Sequence, residues 1–208
     1  MALKTIVKIS NVTNLSDARY CAGMGVDLLG FSMDESAEQY VAPEKFKEIR
    51  SWVAGLHIVG ETASIDPLEI ERLLELYQPD VLQIEESALL PYIATFDCRL
   101  ILKVDLSLLT LDQLEASFSA VQSDQVDYFL LESKGAIHLD DDLKAVLQRL
   151  AARYPVLLGV GFTTESIHDL LAELPVQGIA LTGGDEDRPG SRDFGELMDI
   201  LETLEMDD

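Results

Sequence analysis

The strongest constraint on this 208-residue chain is its rhythm. Strand-like apolar runs occur at 3–9, 26–31, 56–60, 80–84, 99–104, 126–131, 156–159 and 176–181. Helix-period stretches follow them at 15–24, 43–53, 67–77, 87–94, 111–122, 140–153, 164–174 and 194–204. Strict alternation of this kind predicts a parallel sheet whose strands are joined by helical crossovers. Eight such units is the number that closes a (β/α)8 TIM barrel. An open doubly wound sheet usually has fewer units, and no strand here is followed by Gly-x-Gly-x-x-Gly. The expected fold is an α/β TIM barrel, one domain over residues 1–208, with short loops. The two longest loops are 32–42 and 182–193.

In such a barrel the chemistry collects at the C-terminal strand ends. Strand side chains alternate, so Ile6, Lys8 and Ser10 share the inner face of the first strand. Ser10 and Asn11 then meet the first loop, and Asn14 or Ser16 caps the helix that Gly23 and Gly25 end. Extending the alternation, Glu61 follows the third strand, Glu85 the fourth, and Glu132 closes the sixth. Lys8 and Lys103 lie in the first and fifth strands. Three carboxylates and two ammonium groups are therefore expected round one mouth. They read either as an acid/base set or divalent-cation site, or as charges paired to survive burial. His57, His138 and His168 have no ligand spacing and read as surface or satisfied histidines.

Glycines mark the last two strand ends: Gly159 and Gly161 after the seventh, then Thr182, Gly183 and Gly184 after the eighth. Both loops together suit a phosphate, because glycine lets backbone N–H groups approach closely. Plain turn glycine is the alternative. Asp185, Glu186 and Asp187 oppose an anion there, and Arg188 and Arg192 offset part of that.

The charge limits the partners. With 15 basic and 38 acidic residues the net charge is −23, which excludes nucleic acid and anionic membrane as natural partners. A phosphorylated small molecule would need local donors. No apolar run approaches the ~20 residues that span a bilayer. The N-terminus lacks the pattern of a signal peptide, so a cytoplasmic location is expected. Cys21 and Cys98 fit a reducing compartment and read as small buried apolar residues. No metal spacing or cofactor motif is present in the sequence, and no cofactor is expected.

Several dispersed motifs resemble one family. Val7-Lys8-Ile9, Val12-Thr13-Asn14, Asp17-Ala18, Gly25-Val26-Asp27 and Leu29-Gly30-Phe31 follow its K-I-C-G-I-T…D-A…G-A-D…L-G-F pattern. Tyr40-Val41, Val59-Gly60, Asp80-Val81-Leu82-Gln83 and Pro189-Gly190-Ser191-Arg192-Asp193 match further on. Thr182-Gly183-Gly184 resembles its phosphate turn. The family is phosphoribosylanthranilate isomerase, the tryptophan-biosynthesis barrel that opens a ribose ring and moves a proton from C2. The resemblance implies a Cys base and an Asp acid, but those positions hold Ser10 and Glu132. The family Arg before Tyr-Val is Gln39, and its L-H-G is Ile84-Glu85-Glu86.

Three functions follow. One is a divergent barrel that binds a phosphorylated sugar-like molecule with the original isomerase chemistry lost or changed. The second is an active phosphoribosylanthranilate isomerase that uses Glu132. The third is a non-enzymatic binding or scaffold protein. Monomer and homodimer both remain open.

Overall fold

The computed structural model describes residues 3–122, 125–183, 186–188, 191–192 and 195–206. Eight parallel strands close into one barrel in chain order: β1 (Ile6–Ser10), β2 (Leu28–Ser32), β3 (His57–Glu61), β4 (Val81–Ile84), β5 (Arg99–Asp105), β6 (Tyr128–Glu132), β7 (Val156–Leu158) and β8 (Gly178–Thr182). The ring closes where β8 pairs with β1, from Ile6 opposite Gly178 to Ser10 opposite Thr182. The crossovers are α1 (Leu15–Gly23), α2 (Pro43–Trp52), α3 (Pro67–Tyr77), α4 (Leu90–Ile93), α5 (Leu111–Ser119), α6 (Asp141–Ala151), α7 (Ile167–Glu173) and α8 (Gly195–Thr203).

Local chemistry explains these elements. Asn14 accepts the amide of Asp17 and starts α1, while Thr110 and Gln113 form a reciprocal capping box on α5. Pro43 and Pro67 sit in first turns, where a missing N–H costs nothing. The 87–94 stretch is less regular than its periodicity suggests: a 3-10 turn at Ser87–Leu89 leads into the single turn of α4. Pro91 stands at the start of α4, the position proline favours, and so marks a new helix within the stretch. The loop after β8 also carries an unforeseen antiparallel pair, β9 (Glu186–Arg188) and β10 (Ser191–Arg192).

Two apolar layers hold the barrel. Leu28, Val59, Val81, Ile101, Leu130, Leu157 and Ala180 fill its interior. Outward residues of the same strands, such as Ile9, Leu29, Leu102 and Phe129, pack under the helices. Above this plug the strand ends turn polar. Lys8, Ser10, Ser32, Glu61 and Gln83 are all buried there, and these are the strand ends at which a TIM barrel keeps its site. No helix among the described residues is long and apolar enough to cross a membrane.

Candidate active site

The floor of the mouth is a chain of contacts from β3 through β1 to β6 and β5. Lys8 Nζ lies 2.5 Å from Glu61 Oε1 and donates to Ser10 Oγ at 2.6 Å. Ser10 Oγ donates to Glu132 Oε1 at 3.4 Å, a long contact. Glu132 Oε2 lies 3.3 Å from Lys103 Nζ, which also meets Glu85 Oε1 at 3.2 Å. Ser10 and Glu132, 122 positions apart in sequence, are thus neighbours at one end of the barrel. Glu61 is the last residue of β3 rather than a loop residue, opposite both Ser32 and Gln83.

Each ammonium is tied to carboxylates, so the paired-charge arrangement is the one the geometry displays. Among the described residues, no three metal-ligating side chains converge. Burial alone would lower the pKa of Lys103, but Glu132 and Glu85 outweigh it and hold the group above the ordinary lysine value. The three histidines are exposed and stand apart from this chain of contacts.

The glycines divide into two kinds. The Gly159 amide donates to Leu131 O at 2.8 Å and the Gly183 amide to Ser10 O at 3.0 Å, so both serve the barrel backbone. A Cβ on Gly159 would sit 2.8 Å from Glu132 Cγ, so this glycine makes room for the longer carboxylate. Gly161 differs: its φ of +81° is in the left-handed region, and a Cβ there would strike Leu139. The amides of Val160, Gly161 and Phe162 donate to no group among the described residues. They line a 280 Å³ cavity together with Gly159, Thr182 and Glu196. Of the expected glycine donors, Gly159 and Gly183 thus have backbone acceptors, whereas the Gly161 amide has none among the described residues. Gly184 lies outside the described residues, as does Asp185. Gln39 is half-buried in the turn after β2, and among the described residues no hydrogen bond draws its side chain into the Ser10–Glu132 contacts.

Residues 7–203 match the family model described as N-(5'-phosphoribosyl)anthranilate (PRA) isomerase. The chain belongs to the phosphoribosylanthranilate isomerase family. The N-(5'-phosphoribosyl)anthranilate isomerase of Thermosynechococcus vestitus is 28% identical, over 95% of this chain and 89% of its own. That of Chlorobium phaeobacteroides is 23% identical, over 95% and 96%. Among solved structures, the phosphoribosyl anthranilate isomerase of Thermotoga maritima superposes with a TM-score of 0.78 at 20% identity, covering 96% of this chain and 98% of that one. A phosphoribosyl anthranilate isomerase complex with reduced 1-(o-carboxyphenylamino)-1-deoxyribulose 5-phosphate gives 0.76. Membership in this isomerase family and the barrel fold both agree with the resemblance read from the sequence. Within the family pattern, Asn11 takes a glycine position, and its φ of +57° is one that asparagine tolerates better than most residues.

Proposed function

We propose that the protein is an active isomerase of phosphorylated aminoaldoses, acting on N-(5'-phosphoribosyl)anthranilate, with one carboxylate used twice. Glu132 in its acid form gives a proton to the ring oxygen, and the furanose opens to a protonated imine. Ser10 Oγ then takes the C2 proton while its own proton passes to Glu132. The acid form of Glu132 is thereby regenerated, and the resulting enolamine tautomerises to the ketone. Protons balance over the cycle, and no separate thiolate is required. Lys103 holds Glu132 in place through the cycle. The carrying observation is the 3.4 Å contact between Ser10 Oγ and Glu132 Oε1. The free amides at 160–162 support a phosphate end, and Gly159 adjoins both regions. The test is rescue of a tryptophan-requiring strain that lacks the isomerase, with turnover by purified protein. Ser10→Ala and Glu132→Gln should each lower kcat by about 100-fold or more. Soluble protein that neither rescues nor turns over the substrate would sink the reading.

The second reading is a barrel that binds a phosphorylated sugar without this reaction. Gln39 and Ser10, where the family has Arg and Cys, favour it. Saturable binding of ribulose 5-phosphate by a protein with no turnover would select it.

A further inference from the structure

The buried ion pair beneath Ser10 is not explained by stability. Lys8 has no exposed surface and Glu61 very little, yet both are charged groups taken out of water. Replacing such a pair by apolar side chains of similar size is often neutral or stabilising. Its geometry, by contrast, is directed at a single hydroxyl. Glu61 Oε1 holds Lys8, and Glu61 Oε2 accepts the Asn11 amide at 3.2 Å. One carboxylate thus grips the chain two residues before Ser10 and one residue after it. Lys8 donates into a lone pair of Ser10 Oγ, which leaves the hydroxyl hydrogen for Glu132. Gly30 supplies the space, since a Cβ there would meet Glu61 and Lys8 first.

We infer that Lys8 and Glu61 are positioning residues that make Ser10 competent to accept a proton. A serine hydroxyl is a weak base unless something activates it. Here a fixed ammonium stabilises the charge that gathers on Oγ as its proton leaves for Glu132. Fixed charges act strongly in a site with little water. The inference rests on the isomerase reading above and adds the device that lets serine stand where the family keeps cysteine.

The experiment compares wild type, the apolar pair Lys8→Met/Glu61→Leu, and the single isostere Glu61→Gln, each alone and combined with Ser10→Ala. Turnover of N-(5'-phosphoribosyl)anthranilate is followed with kcat and KM separated. Lys8→Met/Glu61→Leu should lose about 100-fold in kcat at unchanged KM, the scale of removing one preorganised charge partner. Glu61→Gln should lose kcat in the same direction, and it covers the case in which the double variant does not fold. Neither change should cost anything further in the Ser10→Ala background, because both act through Ser10. Undiminished kcat in a folded variant, or an equal loss in the Ser10→Ala background, overturns the inference alone. A wild-type protein without turnover overturns it together with the isomerase reading.

Discussion

Gly30→Ala is a sharp test of how tightly the mouth is built. Gly30 lies within β2 and is not among the glycines with positive φ, so its backbone accepts alanine. At a site with room, the change would stabilise the fold by about 0.4–1 kcal/mol through the unfolded chain. The surroundings reverse that sign. The new methyl would sit against Glu61 Oε1, 2.6 Å from Glu61 Cδ and 3.0 Å from Lys8 Nζ. Ordinary carbon–carbon contact needs about 3.5–4.0 Å, so the shortfall is about 1 Å. Glu61 cannot retreat cheaply, because each of its oxygens already has a partner. Overpacking of this kind costs about 1–3 kcal/mol. With mid-range values, about 2 kcal/mol less about 0.7 on the unfolded side leaves about 1.3 kcal/mol of destabilisation. For a chain of this size that lowers Tm by roughly 3–5 °C. Thermal melts followed by circular dichroism measure it. The control is the same change in a Lys8→Met/Glu61→Ala background, where the nearest obstructing atoms are gone and the loss should vanish. A Gly30→Ala protein as stable as wild type, or an equal fall in that background, would refute the steric reasoning.

Three other outcomes are expected. Lys103 is held above its ordinary pKa of 10.5, so the stability it contributes is complete below that pH and lost as pH rises through the raised folded value. Urea unfolding of wild type and Lys103→Met should therefore converge above about pH 10.5, and an unchanged gap at pH 12 would contradict the ion pairs. Burial, with Asp17 nearby, pushes the Cys21 thiol up to about 12; burial and the neighbouring Asp127 and Asp97 raise Cys98 as well, but Cys98 is only half-buried. Iodoacetamide at pH 8 should label Cys98 in the native protein and reach Cys21 only on unfolding, read by peptide mass. Gly161→Ala forces a left-handed backbone and meets Leu139. It should weaken ribulose 5-phosphate binding by calorimetry while Tm falls by only a few degrees, and unaltered affinity would remove the 160–162 amides from the phosphate end.

The barrel was legible because alternation is a backbone property. Strand and helix periods survive sequence change, and the boundaries of α3 fall where Pro67 and Tyr77 place them. Side-chain alternation alone put Lys8, Ser10, Lys103 and Glu132 on the inner face. What it could not give was partnership. Whether Lys103 meets Glu85, Glu132 or both depends on the stagger between β4, β5 and β6, which no single strand encodes. The backbone partners of the glycines were hidden for a similar reason. Gly183 looks free in sequence, but the closing register with β1 gives its amide to Ser10. The left-handed torsion at Gly161 is likewise invisible in the sequence. The irregular 87–94 stretch carried its own signal in Pro91, which its apolar spacing masked.

The pairing of β1 with β8 has a consequence for how the molecule comes into being. Thr182 stands beside Ser10 across 172 positions of chain, and contacts of such long range form slowly and late. During synthesis Ser10 emerges long before its neighbour on that side. A nascent chain interrupted before β8 would carry both Ser10 and Glu132 and leave β1 an unmatched border, open to other strands. Completing the circle is therefore the event that gives the protein its centre and removes its exposed edge.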